Sequence, residues 1–306
     1  MDINKLKDIQ NDVIRKSKKI NIVCFCIWII VMFVIFKLKL LFLYYVITSV
    51  TMLAFWAIIR CILLNKQIKE FDDGFKEIFV SESLNKIFSN LNYDPNKGLD
   101  YYELANTKMM NMGDRYSSND YFEAEYKNVK IRQADVNIQE KHETTDSDGN
   151  TTTTWITIFA GKWMIFDFNK TFNANIQVSQ KGFGNSYVSN WGEKNKYKKI
   201  EMEDSEFNKM FRVYAQDEHD AFYVLTPALM EKIKKITNQI DGKLLFCFIN
   251  NELHVGIFNY KDSFEYNIFK KINEEKINEE ISHDIKIITD FVDQLNLDNS
   301  LFRKGV

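Results

Sequence analysis

The chain has 306 residues, enough for one sizeable hydrophobic core or two small ones, and a net charge of −2. Residues 1–59 carry a charge of +5 and residues 60–306 a charge of −7, so a basic, apolar front precedes an acidic bulk. This distribution argues against nucleic acid as the main partner. The four cysteines form no C-x-x-C pair, which argues against a disulfide framework or a zinc knuckle.

Two uncharged apolar runs, residues 20–36 and 40–59, predict a transmembrane helical hairpin over residues 20–64. At 1.5 Å per residue the runs reach roughly 25 and 30 Å, against a hydrocarbon core of about 30 Å. Only Lys37-Leu38-Lys39 separates them, so both outer ends lie on one side. A cleaved signal peptide is the competing interpretation, but the first run lacks a small-residue cleavage site and a second run follows at once.

Basic residues near the ends of the two runs predict the orientation. Four precede the first run and three follow the second, whereas two lie in the turn between them. The positive-inside rule therefore places both termini and the main domain in the cytoplasm. Neither run contains an acidic or basic residue, so the hairpin is interpreted as an anchor and not as an ion pathway.

Helical patterns surround this anchor. The basic segment 1–19 carries apolar residues on one helical face, which predicts an amphipathic helix that either lies along the inner leaflet or packs against the rest of the protein. Residues 65–119 are predicted as a helical connector, because apolar residues recur at spacings of three and four as far as Leu91. Pro95 and Gly98 end that pattern, and "LDYYELANTKMMN" predicts one more short helix.

Residues 120–306 predict an α+β domain built on a twisted antiparallel β-sheet, with helices covering one face. Apolar and polar residues alternate after Asp120, which predicts two strands around a tight turn at Lys127-Asn128, and then a long hairpin with the polar tip "TTDSDGNTTTT". The tip places Asp146, Asp148 and Asn150 at the spacing of a calcium loop. It lacks the glycine and glutamate that such a loop needs, so it is interpreted as a turn.

The stretch "WITIFAGKWMIFDF" has apolar residues on both faces and is predicted to be a central strand, with Gly161 at a bulge or a close backbone approach. The next strand is expected to follow a polar turn formed by Asp167, Asn169 and Lys170. Residues 211–225 predict a strand, a turn and a second strand. A helix capped by Thr226, a hairpin turning at Asn250-Asn251 and a closing amphipathic helix complete the domain.

Two places in the domain are candidates for function. Residues 181–199 form a basic loop that is either a solvated connection or a contact with anionic lipid or a membrane partner. Its candidate contact residues are Phe183, Tyr187, Trp191, Lys194, Lys196, Lys198 and Lys199. The catalytic candidate is His219 with Asp217 and Asp220, although an exposed turn explains this cluster without catalysis.

The two spans and the stretches "YFEAEYKNVKI", "TIFAGKWMIFDFNKTF", "FRVYAQDEHDAFYVLTPALMEKI" and "LLFCFINNELHVGIF" together resemble the bacterial membrane-protein family known as domain of unknown function 3137. The most specific pieces are Phe159-x-Gly161 followed by Asp167-Phe168-Asn169-Lys170-x-Phe172, and Phe211-x-Val213-Tyr214 followed by Leu225-Thr226-Pro227. The resemblance covers nearly the whole chain. It implies a bacterial cell-membrane protein with two spans, and it assigns no activity. Members are often encoded beside LemA-type membrane proteins, which implies a LemA-type partner.

The leading hypothesis is therefore a membrane-anchored cytoplasmic binding or scaffolding protein that contacts anionic inner-leaflet lipid or a membrane protein, with homo-oligomerisation left open. The alternative hypothesis is a membrane-tethered, hydrolase-like enzyme that uses His219. No complete catalytic motif is present, and the sequence predicts neither a cofactor nor a metal.

Overall fold

The computed structural model describes residues 1–39, 41–184, 196–295 and 297, and gives the backbone alone for residues 168–174. The chain divides into two compact units. The first contains Met1–Glu82 and Glu265–Asn278, and the second contains Ser83–Phe264 and Glu279–Val306.

Two long helices, α1 (Ile3–Lys37) and α2 (Phe42–Phe75), dominate the first unit, and a π-helical segment follows at Lys76–Ser81. In their most apolar stretches only 6% and 0% of the residues are buried within the protein, which distinguishes them from the core helices of a soluble domain. Both are long and apolar enough to cross a membrane. They contain the first predicted span whole and the second from residue 42 onward.

Hydrogen bonds between side chains join α1 to α2. The indole N–H of Trp28 donates to Ser49 Oγ at 3.4 Å, and the indole N–H of Trp56 donates to Asn21 Oδ1 at 3.0 Å. In an apolar surrounding such bonds satisfy polar groups that would otherwise have no partner. The two helices therefore form the expected hairpin.

The N-terminal part of α1 packs within the first unit. Leu6, Gln10 and Val13 are buried, and the Gln10 amide donates to the carbonyl oxygens of Ile268 at 2.8 Å and Lys270 at 2.6 Å. Of the two alternatives for the amphipathic segment, the structure shows packing against other parts of the chain.

The second unit contains an antiparallel sheet, confirming the predicted α+β fold. Its seven described strands are β1 (Ser89–Asp94), β2 (Arg115–Tyr126), β3 (Val129–Thr145), β4 (Thr151–Gln180), β5 (Lys198–Ile200), β6 (Phe211–Ala215) and β7 (Lys243–Phe258). They run in the order β1-β2-β3-β4-β6-β5, and β7 pairs with β4. The remaining helices are α3 (Glu82–Ile87), α4 (Tyr101–Ala105), α5 (Ser205–Met210), α6 (Glu218–Val224), α7 (Pro227–Thr237) and α8 (Glu274–Leu295).

Strand β4 is central, as its two apolar faces predict, because it lies between β3 and β7. On one face Trp163 belongs to a core with residues from the segment 99–112, which includes α4. On the other face Phe166 packs against Phe291 of α8, with ring centroids 6.1 Å apart. The sheet is thus covered on both faces and not on one.

Two predicted turns are wrong for the same reason. Strand β4 continues through Asp167, Asn169 and Lys170, and β7 continues through Asn250-Asn251. The pairing of the two strands is irregular at this point, with Asp167 opposite Glu252 and then Phe172 opposite Asn250. Polar residues at this irregularity produced a turn signal in each strand. The two strands nevertheless remain continuous, because they pair with each other before and after the irregularity.

Other local signals have mixed outcomes. Lys127 and Asn128 both have positive φ, as the predicted tight turn requires, and the Thr226 hydroxyl caps α7. The predicted second strand ending at residue 225 is wrong, because residues Glu218–Val224 form α6, with Asp217 as the N-cap. Strand β1 was not predicted. Its short sequence, with two asparagines and an aspartate, has little strand propensity.

Candidate functional site

Charged and polar side chains are buried within the sheet on the face that α8 covers. Gln133 and Asp135 are two positions apart on β3, so their side chains lie on the same face of the sheet. The register places Lys162 of β4 opposite Asp135. Gln133, Asp135 and Lys162 are all at most 5% exposed. Buried charge is expensive unless it is paired, so this region is a candidate site.

A second aspartate reaches the same region from β2. The strand is irregular between Asn119 and Phe122, and Asp120 lies in that irregularity with φ of +54°. The Tyr93 hydroxyl donates to Asp120 Oδ1 at 2.7 Å, and the Asn119 amide donates to Oδ2 at 2.8 Å. The carboxylate is therefore held in a fixed orientation although it is fully buried.

The segment after β7 brings the third aspartate. Ser263 donates to Asp135 twice, from its hydroxyl to Oδ1 at 2.8 Å and from its backbone N–H to Oδ2. These bonds place the exposed Asp262 beside the two buried carboxylates. One oxygen each from Asp120, Asp135 and Asp262 lies within 4.8 Å of the others, and we call these residues the aspartate cluster.

Burial dominates the electrostatics of the aspartate cluster. It raises the pKa of Asp135 well above its usual value, the positive charge of Lys162 opposes this, and the hydrogen bond with Asp262 raises the pKa further. Lys162 Nζ lies 3.5 Å from Asp284 Oδ1, yet it has no hydrogen-bond partner within the described part of the chain. It lines a cavity of about 100 Å³ together with Asp262, Ser263 and Asp284.

The opposite face of the sheet carries a separate polar network. Arg132 pairs with Glu103 of α4 and with Glu252 of β7. The Trp163 indole donates to His254 Nδ1 at 3.3 Å, which leaves the proton on Nε2, 3.3 Å from Glu252. Each polar group in this network thus has a partner, so the network is suited to fixing α4 on the sheet.

The structure explains the acidic surroundings of His219 by helix capping. Asp217 Oδ1 accepts the backbone N–H of His219 at 2.8 Å, and Asp220 lies in the first turn of α6. Acidic residues are favoured at both positions by the partial positive charge of a helix N-terminus. His219 itself is exposed, and the predicted turn between two strands is replaced by the start of this helix.

The basic loop is only partly described. Phe183 is 1% exposed and its ring centroid lies 5.6 Å from that of Phe258, so it belongs to the hydrophobic core and is not available for lipid contact. Tyr187, Trp191 and Lys194 lie outside the described residues. Lys196, Lys198 and Lys199 are exposed, and Lys199 pairs with Glu201.

Sequence reasoning missed the aspartate cluster. A signal was present. Asp135 lies between Ala134 and Val136, and Lys162 lies between Gly161 and Trp163. A charged residue between uncharged, non-polar neighbours within a strand predicts a buried partner. The partner could not be identified. Asp262 comes close to Asp135 from 127 positions further along the chain, and Asp120 depends on an irregularity in β2.

Comparison with known proteins identifies a family. A model described as "Protein of unknown function (DUF3137)" matches residues 157–297. Among solved structures, the chain is similar to the mycobacterial trehalose monomycolate transport factor A, TtfA, with 9% sequence identity and a TM-score of 0.40 over 73% of this chain and 96% of that chain. No curated protein matches the sequence. The family predicted from the sequence is thereby confirmed over residues 157–297, which match the model of DUF3137, a family of unknown function.

Proposed function

We propose that the protein is a membrane-anchored binding or scaffolding protein whose sheet domain lies in the cytoplasm. Membrane association is supported by the two long apolar helices and by the apolar surface that they expose. The cytoplasmic orientation is supported by the excess of basic residues at the outer ends of the hairpin.

The binding role rests on one observation, the exposed ribbon formed by residues 141–156 of β3 and β4. The two strands pair from Lys141 opposite Trp155 to Thr145 opposite Thr151, and the side chains on both faces are exposed. Trp155 is 36% exposed and Ile156 is 46% exposed. A two-stranded ribbon with no cover is marginally stable on its own, so exposed apolar side chains here, one on each face, favour a contact with another molecule.

The arrangement around Trp155 resembles a small protein-binding surface. The Arg115 guanidinium lies 3.9 Å from the centroid of the Trp155 ring, which holds the indole in place. Tryptophan and arginine are the residue types enriched at the centres of protein interfaces. We infer that the partner is a membrane protein, of the LemA type that the family resemblance suggests or a second copy of this chain. The exposed Lys196 and Lys198 supply a further contact with anionic lipid.

Site-specific photo-crosslinking tests the role of the ribbon. A photoreactive amino acid placed at Trp155 of the full-length protein in native membranes is expected to give a discrete crosslinked product. The same residue placed at Tyr101, an aromatic on α4 that is 38% exposed, is the matched control and should give none. Mass spectrometry identifies the product. Equal crosslinking at both positions, or none at Trp155, would contradict the proposal.

Protease accessibility tests the orientation. Trypsin added to spheroplasts is expected to leave the sheet domain intact, because the exposed Lys141 of the ribbon lies on the protected side and only the turn at Lys37–Lys39 faces outward. Trypsin added to inverted membrane vesicles should cleave it, as followed by immunoblotting. Cleavage within the sheet domain in intact spheroplasts would place that domain on the other side of the membrane.

A further inference from the structure

We propose that the aspartate cluster binds one hydrated divalent cation of the Mg²⁺ class. Three carboxylates from β2, β3 and the segment after β7 present oxygens within 4.8 Å of one another. Carboxylate oxygens are the preferred ligands of hard divalent cations. The exposed position of Asp262 gives such an ion a path from solvent to the two buried carboxylates.

The surrounding hydrogen bonds orient the proposed ligands. Tyr93 and Asn119 each donate to Asp120, and Ser263 donates to both oxygens of Asp135. Donors of this kind fix the direction of a carboxylate, and in known metal sites their loss lowers metal affinity about 10- to 100-fold. Two of the three proposed ligands, Asp120 and Asp135, are thus held in place by neighbouring hydrogen-bond donors.

The charges in this region also favour a cation. The region contains four aspartates, Asp120, Asp135, Asp262 and Asp284, and one buried ammonium group, that of Lys162, which lies 3.5 Å from Asp284. Lys261, which lines the same cavity, is paired with Asp241 at 2.9 Å, so these two charges offset each other. A divalent ion would offset the negative charge of the ionised carboxylates, which is costly to keep in a buried place.

Lys162 provides an independent observation that points to a bound ligand. Its ammonium group is buried, lines the cavity beside Asp262, and has no hydrogen-bond acceptor among the described residues. The cavity of about 100 Å³ is large enough for several water molecules. Mg²⁺ keeps several of its waters when it binds to protein carboxylates, whereas Ca²⁺ takes six to eight oxygen ligands. Cavity water that is not bound to the ion would accept the hydrogen bonds that Lys162 lacks, and the water ligands of a Mg²⁺-class ion would donate to that cavity water.

Cation binding can be measured directly on the full-length protein in detergent after treatment with EDTA. Mn²⁺ serves as the probe, because its bound fraction is followed by electron paramagnetic resonance and Mg²⁺ competes with it. We expect one Mn²⁺ per chain, displaced by Mg²⁺. Asp262→Asn should weaken binding at least about 10-fold. The matched control is Asp241→Asn, which removes an exposed carboxylate from the same cavity but not from the aspartate cluster, and should weaken binding far less than Asp262→Asn does.

Thermal unfolding of the unmodified protein gives a second readout that does not depend on the folding of a variant. A bound cation should raise the midpoint temperature as the Mg²⁺ concentration rises above the dissociation constant. Absence of saturable Mn²⁺ binding, or an equal loss of affinity in the Asp262→Asn and Asp241→Asn variants, would overturn the proposal. So would a midpoint temperature that does not respond to Mg²⁺.

Discussion

Replacing Gly161 with alanine is expected to lower the free energy of unfolding of the sheet domain by about 3 kcal/mol or more. Gly161 has a backbone φ of +146°, an angle that residues with a Cβ atom rarely adopt. An added Cβ would also lie 2.1 Å from the carbonyl oxygen of Ile257 in β7. Strand β7 cannot retreat without losing its pairing with β4, so strain and steric overlap act together. Urea denaturation followed by circular dichroism measures the loss.

Gly149, at the tip of the ribbon, is the matched control for this variant. It also has positive φ, at +85°, but nothing lies within 4 Å of an added Cβ. Gly149→Ala should therefore show the backbone strain alone, about 1 kcal/mol. If Gly161→Ala were no more destabilising than Gly149→Ala, the close approach of β4 to β7 would not be the reason that glycine occupies position 161.

Replacing Asp135 with asparagine is expected to flatten the dependence of stability on pH. The pKa of Asp135 is raised in the folded protein, so its contribution to stability is full below the unfolded pKa of about 4 and is lost as the pH rises through the raised folded pKa. The free energy of unfolding of the unmodified protein should thus fall above pH 4, by up to about 1.4 kcal/mol per pH unit from this group. The asparagine variant should lack that fall.

The measurement is urea denaturation at several pH values between 4 and 7 with EDTA present, so that no divalent cation contributes. Asp241→Asn serves as the control, because hydrogen bonding to Lys261 lowers the pKa of Asp241 and its effect falls below pH 4. Its curve should run parallel to that of the unmodified protein. Parallel curves for Asp135→Asn as well would show that the buried carboxyl group does not titrate in this range.

The fold could be predicted where the signal is local and repeated. Two apolar runs with a short charged turn predict the helical hairpin, and apolar residues on both faces around Trp163 predict a central strand. Prediction failed where one strand contains a polar interruption that a distant strand stabilises. Asp167 and Asn250 both gave turn signals, because the sequence around each does not show that Glu252 and Phe172 lie opposite them.

The same distinction applies to the candidate sites. Acidic residues beside His219 suggested catalysis, but their spacing is also that of a helix N-terminus, and the structure shows Asp217 as the cap. Phe183 was grouped with the lysines of the basic loop, although it packs against Phe258 from a distant strand. The aspartate cluster combines residues from three separate segments. Only the unusual position of charge at Asp135 and Lys162 was visible in the sequence.

The pairing of β4 also determines when the protein can fold during its synthesis. Strand β4 ends at Gln180, but its partner β7 is complete only at Phe258. A ribosome that adds about 5–20 residues per second needs roughly 4–16 s for these 78 residues. During this interval the helical hairpin has already left the ribosome, while one edge of a long apolar strand lacks its partner. Synthesis of the apolar hairpin thus precedes closure of the sheet, and a nascent chain is most exposed to aggregation in between.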